Sequence, residues 1–320
     1  MNSLSAAYLE RLRLDTGQAA TLRALGECRA KQELIHWAAP QALERLHKAA
    51  VIESMVSSNR LEGVIVPPRR LKALITGHTQ PRDRPEREVA GYYDALSLIH
   101  VCARDLPFST EVVQQLHARL YRYAPEPRGS WKADGITRLT ARYTRAVEAA
   151  TLDPLVLMPL TILDFLCLHP FVDGTGRVAR LLALMLLYHW RYEVGRYISI
   201  ERVCEDTKDG YYETLEASSR HWHTGEHDAR PWLEYFWAGL LRAYREFEER
   251  IAQAGAGRGS KTERVCEAVW VRREPFSISE IEAACVGVSR DMVRLVLRRL
   301  KADGVIAPTG KGRSARWIKP

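Results

Sequence analysis

Two apolar segments, Leu160–Leu168 and Leu181–Leu187, flank a run of twelve residues and constrain this chain more than anything else in it. Both are apolar on nearly every side of a helical wheel, so each predicts a helix buried in a core and not one lying on a surface. Polar residues between two buried helices need a reason to be there. The run is His169-Pro170-Phe171-Val172-Asp173-Gly174-Thr175-Gly176-Arg177-Val178-Ala179-Arg180. Pro170 favours extended backbone at His169 and ends the first helix, while Gly174 and Gly176 permit turns and a close ligand approach that a side chain would hinder. The second helix is expected to start near Thr175 or Gly176, where its free N–H groups and the positive end of its dipole make an anion site. Arg177 and Arg180 lie three apart, so their guanidinium groups are expected to point the same way and hold a polyphosphate. Asp173 beside them is a candidate Mg²⁺ ligand. His169, with an intrinsic pKa near neutrality, is a candidate general base.

This run resembles the signature of the Fic family, His-x-Phe-x-Asp/Glu-Gly-Asn-Gly-Arg-x-x-Arg, at every fixed position but one: Thr175 stands where the family has Asn. The resemblance implies a mainly α protein, a Fic-fold helical bundle with a short β-hairpin flap. It also implies transfer of AMP from ATP, with Mg²⁺, to a Ser, Thr or Tyr hydroxyl of a target protein. Carried over by position, His169 would deprotonate the hydroxyl and Asp173 would hold the metal. Gly174, Thr175, Gly176 and Arg177 would cradle the phosphates, with Arg180 at the outermost one. Thr175 keeps the backbone donors but removes an amide from beside the α-phosphate. A second resemblance lies upstream, where Ser58 and Glu62 fit the inhibitory pattern Ser/Thr-x-x-x-Glu-Gly/Asn. It implies that Glu62 pairs with Arg180 and blocks the γ-phosphate; read as residues alone, Glu62 could be solvated or paired locally with Arg60 or Arg69. The same bundle implies that Tyr211 or Tyr212 borders the nucleotide base and that a flap, placed at Ile136, Thr137 and Arg138 after the Asp134-Gly135 turn signal, docks the target as an added strand. A surface loop is the alternative for that segment.

The rest of the chain sets the frame. Its 320 residues suffice for about two domains. No stretch reaches the roughly 20 apolar residues that cross a bilayer and no signal-peptide pattern opens the chain, so a cytoplasmic protein with no membrane partner is expected. Six scattered cysteines fit reduced thiols. Ser109 reads as a helix start, the aromatic stripe from Trp232 to Phe247 as core, and the histidine-rich His221–Asp228 as a polar loop. The net charge of +8 is concentrated at one end: residues 258–320 hold 14 Lys/Arg against 7 Asp/Glu, a net +7. There Ser277-Ile278-Ser279-Glu280 opens one helix and Ser289 the next, followed by two short strands. This resembles a winged helix-turn-helix, with Arg290, Arg294 and Arg298 on the second helix and Lys311 and Arg313 in the wing as candidate phosphate contacts on double-stranded DNA.

The expected division is therefore 1–84 as N-terminal helices carrying the inhibitory segment, 85–253 as catalytic core, 254–260 as linker and 261–320 as winged helix. The leading function is protein adenylyl transfer restrained by Glu62, acting on another protein or on this chain itself, in a monomer or a homodimer. Its rivals are removal of AMP, or transfer of another phosphate-linked group, by the same residues, and a DNA-bound regulator with a nucleotide-sensing core.

Overall fold

The computed structural model describes residues 3–38, 40–75, 79–124, 131–150, 152–256, 261–272, 274–309 and 316–319. The described residues are mainly helical, with one two-stranded sheet. Their contacts gather into two units: Met1–Arg29 with Leu46–Glu246, and Ala30–Arg45 with Phe247–Pro320.

In chain order the helices are α1 (Ala6–Arg11), α2 (Thr16–Ala38), α3 (Pro40–Leu61), α4 (Pro68–Ile75), α5 (Arg84–Cys102), α6 (Thr110–Leu120), α7 (Ala133–Ala149), α8 (Pro154–Leu168), α9 (Thr175–His189), α10 (Ile200–Asp206), α11 (Lys208–Ser219) and α12 (Arg230–Ala256). The apolar pair α8 and α9 packs together at the centre of the first unit, and every residue from Leu155 to Phe165 is buried. The Asp153 carboxylate caps α8 by accepting the Leu155 N–H (2.8 Å), with Pro154 at the first helical position, where its missing N–H costs nothing. Pro159, inside the helix, has no N–H for the Leu155 carbonyl four residues back. The indole N–H of Trp237 on α12 donates to that freed carbonyl (2.7 Å), and Trp232 donates to the Pro159 carbonyl (2.9 Å). The aromatic stripe of α12 is thus core, and it also repairs the backbone of α8.

The segment expected to form a hairpin does not. Ile136, Thr137 and Arg138 lie in α7, one turn after it begins, and Asp134-Gly135 is helical as well. Ile136, Leu139 and Tyr143 are buried at helical spacing on a helix that packs against α8, and burying that stripe outweighs the local turn preference of Asp-Gly. The residues before it, 125–130, lie outside those described. The expected linker also differs, because α12 continues to Ala256.

The second unit contains α13 (Lys261–Val271), α14 (Ile278–Ala284) and α15 (Arg290–Ala302), then β1 (Ala307–Thr309) and β2 (Arg316–Ile318). Ser277 and Glu280 form the reciprocal capping box, and Ser289 caps α15 through the Met292 N–H. The strands pair antiparallel with Pro308 opposite Trp317, and Phe276 adds a bridge to Trp317 through two backbone hydrogen bonds of 2.9 and 2.7 Å. Val265, Val269, Phe276, Ile281, Val293, Leu297 and Ile306 fill its core.

Candidate functional site

The loop between α8 and α9 is held from several sides. His169 ends α8 in the left-handed region (φ 45°, ψ 67°), not in the extended conformation that Pro170 favours, with its N–H shared between the Phe165 and Leu166 carbonyls. Its side chain is exposed. Such backbone costs on the order of 1–3 kcal/mol in a non-glycine residue and persists only where the surroundings impose it. Two residues on, Phe171 is buried beneath His117 (ring centroids 3.9 Å apart, nearly parallel), and His117 Nε2 lies 3.1 Å from the Asp173 carbonyl. Thr175 is buried, and its hydroxyl donates to the Phe171 carbonyl (3.2 Å) and accepts the Phe171 N–H (3.3 Å). The residue that departs from the motif therefore closes the loop on itself. From the outside, Lys132 donates its backbone N–H to the Pro170 carbonyl (3.0 Å) and its ammonium to that of Leu168 (3.0 Å). Gly174 caps α9 at φ 85° and no side chain makes a capping hydrogen bond there.

The two arginines of the run diverge, contrary to the expectation that they reach one ligand together. Arg177 is 1 % exposed; it donates to Glu88 on α5 (2.6 Å), to the Tyr121 hydroxyl (2.9 Å) and, more loosely, to Asp173 (3.4 Å). Helical spacing of three brings Cβ atoms near each other, but the long side chains follow their partners, and Glu88 lies 89 residues away in sequence. Arg180 turns to the end of α3, where its Nε donates to the Ser58 hydroxyl (2.8 Å) and its terminal nitrogen to the Ser58 carbonyl (2.9 Å) and the Glu62 carboxylate (2.7 Å). Burial disfavours the charge of Arg180, yet Tyr211, Glu62 and Tyr92 around it hold its pKa above the ordinary value.

Glu62 sits on a defined helix end. The Val64 N–H bonds the Asn59 carbonyl (2.9 Å) and the Gly63 N–H that of Arg60 (2.9 Å), with Gly63 at φ 75°: a Schellman stop that fixes Glu62 as the last half-helical residue. A carboxylate there is at the unfavourable end of its own helix dipole, and it points instead at the N-terminus of α9. A Cβ on Gly176 would lie 2.5 Å from Glu62 Oε1, so the carboxylate lies over the bare backbone of that first turn. Beside it, Tyr212 is half-exposed with its hydroxyl donating to the Leu61 carbonyl (3.3 Å), while Tyr211 is buried edge-on against Trp232. Behind Arg180, buried Glu201 accepts from Ser54 (2.6 Å) and Tyr92 (3.0 Å), which braces α3 and α5 near Ser58.

One region thus gathers His169, Asp173, Gly174, Thr175, Gly176, Arg177, Arg180, Ser58, Glu62 and Tyr212; Ile136–Arg138 supply no strand to it. Sequence reasoning missed Glu88, Arg84, Asn59 and Tyr121. Arg84 and Glu88 carry a legible i, i+4 ion-pair spacing (2.6 Å), but nothing local says that Glu88 would be buried against Arg177. Among the described residues no three His, Cys, Asp or Glu side chains form a metal cage. One half-exposed carboxylate beside a helix N-terminus nonetheless suits Mg²⁺, which binds through one or two carboxylates together with substrate phosphates.

In the second unit Arg290, Arg294 and Arg298 are exposed on α15, the first two paired with Glu282 (3.2 Å) and Asp291 (3.5 Å). Lys311 and Arg313 lie outside the described residues. No helix among the described residues is long and apolar enough to cross a membrane.

Residues 107–187, which hold α6 to most of α9 and the whole loop, match the model of the Fic/DOC family. Proteins with this domain are typically transferases that move AMP or other nucleotide groups onto proteins. The fold is similar to a Fic family protein from Desulfovibrio desulfuricans G20 (TM-score 0.62, 21% identity, 97% of each chain covered). It is similar too to a Fic domain containing signaling protein from Bacteroides thetaiotaomicron (0.61, 18%, 73% of this chain and 98% of that one). A third likeness is to Fic-1 from C. elegans (0.59, 19%, 72% of each). No curated protein matches the chain.

Proposed function

We propose that this protein transfers AMP from ATP to a Ser, Thr or Tyr hydroxyl of a target protein, either another protein or itself, and that Glu62 holds the activity in check. The observation that carries the reading is the Glu62 carboxylate, 2.7 Å from Arg180 and lying over the backbone of Gly176, where a helix N-terminus and a guanidinium would otherwise meet an anion.

With Glu62 displaced, Arg180 meets the outermost phosphate, and the free N–H groups at the start of α9 take charge that builds on the phosphate oxygens. Thr175 is committed to the Phe171 backbone, so contact at that position falls to main-chain N–H and not to a side chain. Asp173 would hold the Mg²⁺, which when bound withdraws charge from phosphate oxygens. The exposed His169 accepts the proton of the target hydroxyl as that oxygen attacks the α-phosphorus and pyrophosphate departs. Tyr212 offers a ring face at the rim for the base, while buried Tyr211 supports it.

The test uses ATP labelled at the α- or the γ-phosphate. The Glu62→Gly protein should label itself or a lysate protein from the α position only, with His169→Ala abolishing the label. Labelling from the γ position, or release of AMP from an already modified protein, would move the assignment to the rival chemistry.

A second activity rests on the exposed arginines of α15. We read residues 261–320, which follow the end of α12, as a winged helix that binds double-stranded DNA, in a cytoplasmic protein.

A further inference from the structure

Asp173, read above as the metal ligand, sits in a closed ring of four charges. Glu88 is its rigid member: one carboxylate oxygen takes Arg177 at 2.6 Å and the other takes Arg84 at 2.6 Å. The same two guanidinium groups then reach Asp173, Arg177 to Oδ1 at 3.4 Å and Arg84 to Oδ2 at 3.6 Å. The distances differ in kind. Contacts of 2.6 Å are short charge-assisted hydrogen bonds, whereas those to Asp173 lie beyond ordinary N–H···O lengths and are loose ion contacts. Glu88 therefore holds both arginines tightly while each touches Asp173 only loosely, and Asp173 is also hydrogen-bonded by the Tyr121 side chain.

The two arginines are not equally able to yield. The Arg177 side chain is 2 % exposed and also bound by Tyr121, so leaving Asp173 would carry a buried charge away from its partners. The Arg84 side chain is 68 % exposed and can swing into water at little cost. It stands on the first turn of α5, capped by Asp83, which fixes its starting point but not its guanidinium.

We propose that Arg84 is a removable stopper on Asp173: its guanidinium and a divalent cation compete for the same outer carboxylate oxygen, so that cation loading requires Arg84 to turn away. The proposal rests on Asp173 being the metal ligand. It adds to the restraint by Glu62 a second one, of opposite charge, on the other side of Gly174–Gly176. Nucleotide entry would be gated by a carboxylate standing in for phosphate, and cation entry by a guanidinium standing in for the metal. The two gates belong to different helices, so either could be released alone.

Direct titration of the full-length protein with Mn²⁺, without nucleotide, tests this through the electron paramagnetic resonance signal of the free ion. Arg84→Ala should bind Mn²⁺ about five- to tenfold more tightly than the unmodified protein, the scale of removing one partly screened charge at this range. Arg87→Ala removes the same charge from the same helix, at a side chain that bonds the Arg82 carbonyl instead, and should leave the affinity unchanged. Equal Mn²⁺ affinity in Arg84→Ala and the unmodified protein overturns the stopper, as does an equal gain in Arg87→Ala, which would make the effect one of net charge. The Arg84→Ala, Asp173→Asn double variant separates the underlying reading: if it binds Mn²⁺ as well as Arg84→Ala, the ion is not at Asp173 and both ideas fall.

Discussion

Glu62 and Gly176 leave no room for a third group between them. The carboxylate oxygen occupies the space that a single methyl group on Gly176 would fill, 2.5 Å from that added carbon. A phosphate using the α9 N-terminus needs the same space, and so does the side chain of any other residue at position 176. Gly176→Ala should therefore weaken ATP binding even after Glu62→Gly has removed the resident carboxylate. Crowding of this kind costs about 1–3 kcal/mol, so the loss should be at least about fivefold by calorimetric titration of the double variant against Glu62→Gly alone. Equal affinities would place the nucleotide away from this turn. At this scale the grouping of residues was largely legible in the sequence, because the run from His169 to Arg180 is a local constellation within one loop and the first turns of one helix. Partners were not. Arg177 is pinned by Glu88 and Tyr121, and both come from other helices, so only the packed bundle brings them together.

At the scale of elements, helix ends were the readable part. Ser109, Ser277 with Glu280, and Ser289 each cap a helix as expected, since a cap is a bond between residues two or three apart. The start of α7 was misread for the complementary reason. Asp-Gly favours a turn locally, but the burial of Ile136, Leu139 and Tyr143 is a property of the bundle and outweighs it. The end of α3 bears on the proposed restraint, because Gly63 at φ 75° aims the residue before it. Gly63→Ala should strain that stop by about 1 kcal/mol and let Glu62 drift from Arg180. Adenylyl transfer should then rise above the unmodified level while staying below that of Glu62→Gly, measured with α-labelled ATP. A rate no higher than the unmodified protein's would mean that Glu62 finds Arg180 without the Schellman turn.

Whole-molecule behaviour follows from what is buried and what is not. His100 lies inside the first unit with its Nε2 unpartnered, and burial, with help from His47 and Arg196, pushes its pKa down to about 3. The folded protein keeps it neutral, whereas the unfolded chain takes up a proton below about 6.5. Its contribution is fully present above that value and is lost as the pH falls towards 3. Between pH 7 and pH 5 urea stability should drop by about 2 kcal/mol from this residue, and His100→Leu should flatten that slope. The second unit carries the opposite feature, positive charge left on the surface, since most of the chain's net +8 comes from residues 258–320. Arg290, Arg294 and Arg298 line one exposed stretch of α15, with Ser289 fixing where the helix begins. If that stretch lies along a duplex, each phosphate it neutralises adds about 0.9 to the slope of log affinity against log salt. Replacing all three by Ala should lower the slope by up to about 3 and weaken binding across unrelated sequences, as phosphate contacts do. A slope that stays the same in the triple variant would take DNA away from this helix. No binding at all by the unmodified protein at low salt would leave α15 a basic surface for a protein partner, and the adenylyl transfer assigned to the first unit would stand independently of it.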